Sequence, residues 1–270
     1  MPGKWLILSD GYHGCSDIWT SVTLPAKGVP PEQYVKQLPD DYTEELLSSA
    51  CAVIIEPIKL DASDTRKTWI KKLREDCTNY GVMLIFDEIV TGFRVSKYTV
   101  SAWWNIQPDL ICLGKALANG YPLAVVSGKK EVMDCGEYFI SSTYSGEAIS
   151  LAACKATLEE LQKRKMEDLI YYGQRFCDRF NEICKPIGSR IEGYGSRGET
   201  DFYENDNTVL LFQELCKCGI LMGRAFFWNF AHIEEEVEES TLNLVSDAVN
   251  RIQNGKVKLE GKKPIQSFKR

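Results

Sequence analysis

The 270-residue chain predicts an α/β fold: a mostly parallel sheet with flanking helices, followed by a small C-terminal α+β domain. Three observations carry that prediction. Short, nearly continuous apolar runs recur through the first half, the pattern of strands buried on both faces. Helical stretches separate them. After about residue 188 the character changes to a Gly-rich, polar segment and then to alternating helix and strand signals.

KWLILSD (4–10) reads as the first strand, AVIIEPI (52–58) as the second and VMLIFDE (82–88) as the third. DLICLG (109–114) and LAVVSG (123–128) complete the set. Between the second and third, residues 63–81 place Trp69, Ile70 and Leu73 on one helix face, with Gly81 as the C-terminal stop. Residues 149–188 form one long helix or two, broken near Gly188. Residues 189–206 suggest strands with a turn, and 207–223 a helix ended by Gly219. AFFWNFAHI (225–233) reads as a strand, and 234–254 as a helix with acids in its first turn, the positive dipole end. The basic tail 255–270 is expected to fray. A domain boundary falls near 165–190, giving a large domain over 1–180 and a small one over 181–270.

Bulk properties narrow the function classes. Apolar content of 44% and charge of 26% are ordinary for a soluble globular protein. A net charge of −6 argues against a broad nucleic-acid-binding surface. No apolar run approaches the ~20 residues that cross a bilayer, and MPGKWLILSDGYHG is too soon polar for a signal peptide. Ten cysteines invite a disulfide or zinc reading, but Cys51, Cys112 and Cys154 sit in apolar or Ala-rich runs. Cys216 and Cys218 have no second ligand pair at zinc spacing, so no metal site is expected. The cysteines read as reduced thiols of a cytoplasmic protein.

In α/β folds, ligands gather at the carboxyl ends of strands. Asp10-Gly11-Tyr12-His13-Gly14 follows the first strand, and Glu56-Pro57 closes the second. Asp87-Glu88 closes the third, and Lys115 follows the fourth. Ser141 to Gly146 precedes a long helix, where hydroxyls and backbone N–H groups can hold phosphate. Taken singly, Asp87 is a strand-end cap and Lys115 a solvated lysine; together they are a carboxylate and an amine at neighbouring strand ends.

Three ordered motifs raise the specificity. VMLIFDEIVTGFR (82–94), PDLICLGKALANGYPLAVVSG (108–128) and STYSGEAISLAACKATLEEL (142–161) resemble the class III aminotransferases, fold type I enzymes dependent on pyridoxal 5'-phosphate (PLP). The glutamate-1-semialdehyde aminomutase branch is the nearest in pattern. The resemblance is strong over roughly 5–165 and looser over 207–250. It implies that Lys115 is the Schiff-base lysine and proton carrier, and that Asp87 pairs with the pyridine nitrogen. It implies Tyr12 stacked on the ring, His13 near it and Glu56 a polar neighbour. Thr143 would contact the phosphate from the neighbouring subunit of a homodimer, and Arg94 would be a supporting ion-pair residue. Arg224 could meet a substrate carboxylate, His232 packs near a helix start, and Trp103-Trp104 are core or interface.

The family pattern also carries a longer N-terminal portion with a Ser-Gly-x-Glu-Ala phosphate loop. Here the strand leading into Tyr12 opens the sequence, so a member shortened at the N-terminus is expected, with one phosphate wall missing or replaced. Ser145-Gly146-Glu147-Ala148 stands after Lys115 and fits the later family element. Ala118-Asn119-Gly120 stands where the family often has a glycine run, and Glu56 to Leu60 lacks the usual glycine. The favoured function is a ping-pong aminotransferase acting on small amines or amino acids and carbonyl acceptors. An aminomutase, or a non-catalytic protein of the same fold, are the alternatives.

Overall fold

Parallel pairing of the apolar runs is what brings the candidate residues to one edge. The computed structural model describes residues 5–8, 11–14, 16, 19, 35–134, 141–233 and 235–265. Six strands form the main sheet: β1 (Trp5–Leu8), β2 (Val35–Gln37), β3 (Ala50–Ile55), β4 (Met83–Asp87), β5 (Leu110–Leu113) and β6 (Val125–Gly128). Their order is β2-β1-β3-β4-β5-β6. All neighbours run parallel except β6, which is antiparallel to β5. The carboxyl ends of β1, β3, β4 and β5 therefore lie along the same side of the sheet. Five of these strands sit where the apolar runs place them. The sixth, β2, is only three residues long and leaves too little pattern to read.

The helices follow from caps and spacing. α1 (Glu44–Ser48) is capped by Thr43, which accepts from Leu46 N–H at 3.2 Å. α2 (Asp64–Asn79) begins at Ser63, whose hydroxyl accepts from Arg66 N–H, and packs on β4. Its Ile70, Leu73 and Cys77 are fully buried, as are Val53 and Ile55 of β3 and Leu84 and Phe86 of β4. Each such side chain contributes about 1.5–3 kcal/mol. α2 ends as Gly81 turns to φ 65° while its N–H bonds Thr78 O and the Val82 N–H bonds Cys77 O. Asp109, at the entry to β5, accepts from Leu84 N–H at 2.7 Å and pairs with Arg74 and Lys129, both at 2.6 Å. α3 (Val100–Trp104), α4 (Lys130–Met133) and α5 (Ala148–Lys163) complete this part. Only Ser150 of α5 is buried.

The chain divides into two compact units, Met1–Arg164 with 268–270, and Lys165–Ser267. A boundary drawn at 180 would fall inside α6 (Met166–Cys184), an unbroken helix. The second unit also holds α7 (Asp206–Lys217), α8 (Glu235–Gln253) and the antiparallel sheet β7 (Ile191–Tyr194), β8 (Arg197–Thr200) and β9 (Ala225–Phe227). Its core includes Phe176, Phe180, Leu211, Leu215 and Trp228. The strand expected over 225–233 stops at Phe227. The Asn229 side chain accepts from Ala231 N–H at 3.0 Å, and His232 Nδ1 accepts from Asn229 N–H at 3.2 Å. These bonds turn Phe230–Ile233 into a 3-10 helix. Part of the tail is also tied down rather than frayed. Gln213 of α7 donates to Lys258 O and accepts from Glu260 N–H, and Lys263 pairs with Asp206. Among the described residues no helix is long and apolar enough to cross a membrane.

Candidate active site

Asp87 is the last residue of β4 and only 6% exposed. Its Oδ2 lies 2.7 Å from His13 Nδ1, and its Oδ1 accepts from Ile89 N–H at 3.1 Å. An ionised carboxylate is acceptor-only, so His13 Nδ1–H is the donor. The two bonds fix the carboxylate plane and leave lone pairs on both oxygens. His13 Nε2 is buried with no hydrogen-bond partner among the described residues. Gly11 makes room for the ring: a Cβ there would lie 2.9 Å from Nε2 and 3.5 Å from Glu56 Cβ. Glu56 is buried just beyond β3, and Arg66 holds its loop by donating to Glu56 O at 3.3 Å and Pro57 O at 3.1 Å. Strand ends β1, β3 and β4 thus bring Gly11, His13, Glu56 and Asp87 together.

Lys115 stands one strand away. The register pairs Asp87 with Cys112, three residues before it. The chain leaves β5 through an extended Gly114 and enters a 3-10 turn, Lys115–Ala118. Lys115 itself takes φ 42°, in the left-handed region that disfavours side chains. It is exposed and lines a cavity of about 430 Å³ with Arg94, Asn119 and Tyr121. Asp87, Tyr12 and Glu56 do not line that cavity. Tyr12, between Gly11 and His13, is 40% exposed.

Thr143 is exposed in the turn before α5, beside the equally exposed Ser141 and Ser142. The helix terminus itself is not open to an anion. Glu147 fills it, accepting from Ile149 N–H at 2.6 Å and Ser150 N–H at 2.9 Å. The Glu147 carboxylate already supplies the negative charge the helix end attracts, so the backbone N–H groups expected to hold phosphate are taken.

Several residues that shape the site escape a reading by motif. Glu88, adjacent to Asp87, is fully buried and accepts from Val100 N–H at 2.5 Å and Ser101 N–H at 2.9 Å. Burial raises its pKa, against the pull of those two N–H groups. It is the anchor of α3, whose N-cap Thr99 is a readable signal. Gly11 and Arg66 gave no signal beyond residue type. Arg224 pairs with Glu199 at 2.9 Å, and Glu199 also pairs with Arg197, so its charge is engaged within the second unit. His232 closes the turn described above, and burial lowers its pKa. Trp104 is buried and Trp103 exposed, their rings stacked at 5.8 Å.

Comparison with known proteins gives a consistent picture. The aminotransferase class-III family matches residues 10–227. Glutamate-1-semialdehyde 2,1-aminomutase of Thermosipho africanus is 30% identical over 248 residues, covering 83% of this chain and 57% of that protein. Glutamate-1-semialdehyde 2,1-aminomutase 2 of Staphylococcus saprophyticus is 30% identical over 236 residues, covering 77% and 55%. The chain thus spans little more than half the length of these relatives. Among solved structures, the ornithine aminotransferase of Toxoplasma gondii superposes with a TM-score of 0.76 at 22% identity, over 94% of this chain and 66% of that one. That likeness speaks for the fold.

Proposed function

The chain belongs to the class III aminotransferase family, and from that premise we propose that it is a PLP-dependent aminotransferase. It moves an amino group from an amine or amino-acid donor to a carbonyl acceptor in two half-reactions. The observation that carries this reading is the buried Asp87 carboxylate, oriented by His13 one strand from Lys115.

The residues present fit the cofactor. Asp87 keeps lone pairs for a pyridinium N–H, Glu56 and His13 stand beside it, and His13 Nε2 is a buried polar atom with no hydrogen-bond partner among the described residues. When bound, PLP supplies an aldehyde for amines and a protonated ring that withdraws electrons from the substrate carbon. Asp87 would hold the proton on the ring nitrogen. Lys115 would be the amine that holds the cofactor aldehyde and the base that takes and returns a proton at the substrate carbon. Tyr12 would lie against the ring and limit water there. Thr143 serves the phosphate of a neighbouring subunit, which makes the working form a homodimer; a cytoplasmic location goes with the free thiols.

The test is an absorbance spectrum of the purified protein with PLP, before and after an amine donor. A visible band that moves to shorter wavelength on adding donor, and is missing in Lys115→Ala, supports the assignment. No band at saturating PLP removes it. One observation favours a second reading. The relatives cited are named as aminomutases, which move the amino group within one substrate. Product analysis without added acceptor separates the two.

A further inference from the structure

Asn105, Asn119 and Asn254 are exposed asparagines that follow helical turns, and the structure holds them differently. Asn119 closes the turn that begins at Lys115, with φ 45° and ψ 52°. Asn105 closes α3 in the same left-handed conformation, with φ 55° and ψ 46°. Asn254 follows α8. Asn119 and Asn254 are each followed by glycine, and Asn105 by isoleucine.

An asparagine side chain reacts with the nitrogen of the next residue when that nitrogen is uncovered and within reach. At Asn254 both groups are engaged. Its Nδ2 donates to Asn250 O at 2.6 Å, and the Gly255 N–H donates to Ile252 O at 3.0 Å. At Asn105 the next nitrogen belongs to buried Ile106 and donates to Ser101 O at 3.0 Å. At Asn119, among the described residues, neither the side chain nor the Gly120 N–H makes a hydrogen bond. Gly120 is exposed, and a Cβ built on it would meet nothing within 4 Å. The bonds that close this turn are long: Asn119 N–H to Ala116 O at 3.3 Å and Tyr121 N–H to Ala118 O at 3.2 Å. Glycine lets the main chain swing between them.

We propose that Asn119-Gly120 is a self-modifying site, at which the Asn119 amide becomes a carboxylate. The Gly120 nitrogen gives up its proton and bonds to Asn119 Cγ. The Cγ–Nδ2 bond breaks, Nδ2 leaves as ammonia with that proton, and a cyclic imide remains. Water then opens the imide at either carbonyl and returns a proton to the ring nitrogen. One opening leaves aspartate. The other leaves isoaspartate, which lengthens the main chain by a methylene. Both add a negative charge to the wall of the cavity that Lys115 also lines. An old molecule therefore differs from a new one at that cavity, with no cofactor or partner involved.

The purified full chain is incubated at neutral and at mildly alkaline pH, and peptides spanning the three asparagines are followed by mass spectrometry. Isoaspartate is measured on the same samples by enzymatic methylation. In the folded protein Asn119 is expected to convert about tenfold or more faster than Asn254, the factor set by first opening two ordinary hydrogen bonds. Asn105 stays intact. The Asn119 rate rises with pH, because the attacking nitrogen must lose its proton. In the same chain unfolded in urea the two Asn-Gly sites converge, since the fold and not the dipeptide sets their order. Asn119→Gln removes the reaction from that peptide, because the longer side chain closes a larger ring less readily.

Equal rates at Asn119 and Asn254 in the folded protein would overturn the proposal. So would an intact Asn119 in the folded protein beside conversion in urea, which would mean that the left-handed turn holds the two groups apart.

Discussion

Asp87 and Lys115 end adjacent strands of one sheet, yet their surroundings are opposite. Asp87 is buried, and each of its oxygens has a donor. Lys115 is exposed, on a left-handed backbone, at the wall of an open cavity. Burial takes water from the Asp87 carboxylate, and His13 and the Ile89 N–H stand in for it. A group that must hold one charge in one place needs that enclosure. A group that must bond, release and carry a proton needs a side chain facing open space on a fixed main chain. The turn opened by Gly114 and the Leu117 N–H bond to Gly114 O at 2.9 Å provide the second condition.

The sharpest way to break this contrast is Asp87→Asn. The amide keeps the shape and removes the charge, and it replaces no residue on the strand that carries Lys115. Turnover is expected to fall about 10²–10³-fold, the scale for losing one preorganised electrostatic partner. The visible band that depends on Lys115 should survive at saturating PLP. Steady-state rates and absorbance on the same sample check both. A fall of less than about tenfold would mean that the enclosed carboxylate is not what drives the chemistry.

Gly11→Ala probes the enclosure without touching either charge. Its Cβ would come within 3.0 Å of His13 Cε1 and 2.9 Å of Nε2, so the ring or the loop must shift. Overpacking of this kind costs about 1–3 kcal/mol, or roughly 2–4 °C of melting temperature per kcal/mol. Activity should drop less than in Asp87→Asn. Gly223→Ala, where a Cβ meets nothing within 4 Å, is the control. Equal melting temperatures for the two variants would show that the ring is not held.

Legibility in the sequence follows the range of the interactions. Strands β3 to β6 were readable as nearly continuous apolar runs, although only β3 and β4 are largely buried and β6 is mostly exposed. Gly81 and Gly219 were readable as helix stops and take positive φ. The pair Asp87 and Lys115 was readable from motif and strand end. The bond between His13 and Asp87 spans 74 residues, and no local pattern encodes it. Gly11 matters only because that ring lies against it. The strand over 225–233 failed because Asn229 and His232 offer local hydrogen bonds that compete with a ladder. The open helix end before α5 failed because Glu147 reads equally as a motif letter and as a cap.

Cys112 offers the smallest and most direct probe of the contrast. It lies opposite Asp87 in the β4–β5 register. Burial first, and the Asp87 charge second, push its thiol up from 9.0 to about 11. A raised thiol pKa means the neutral, unreactive form persists as pH climbs past 9. In Asp87→Asn the charge is gone but the burial remains, so the pKa should move down without returning to 9.0. Cys77 is pushed up to about 12 by burial, opposed by Arg74 and aided by Asp109 and Asp76, so it should stay put. Site-resolved alkylation by iodoacetamide, read by mass spectrometry from about pH 8 to 10, measures both, with exposed Cys216 and Cys218 as references. Faster alkylation of Cys112 alone in the variant is the expected result. Identical Cys112 rates in the two proteins would mean that Asp87 carries no charge in the wild type, and the distinction between a fixed anion and a mobile amine would lose its first half.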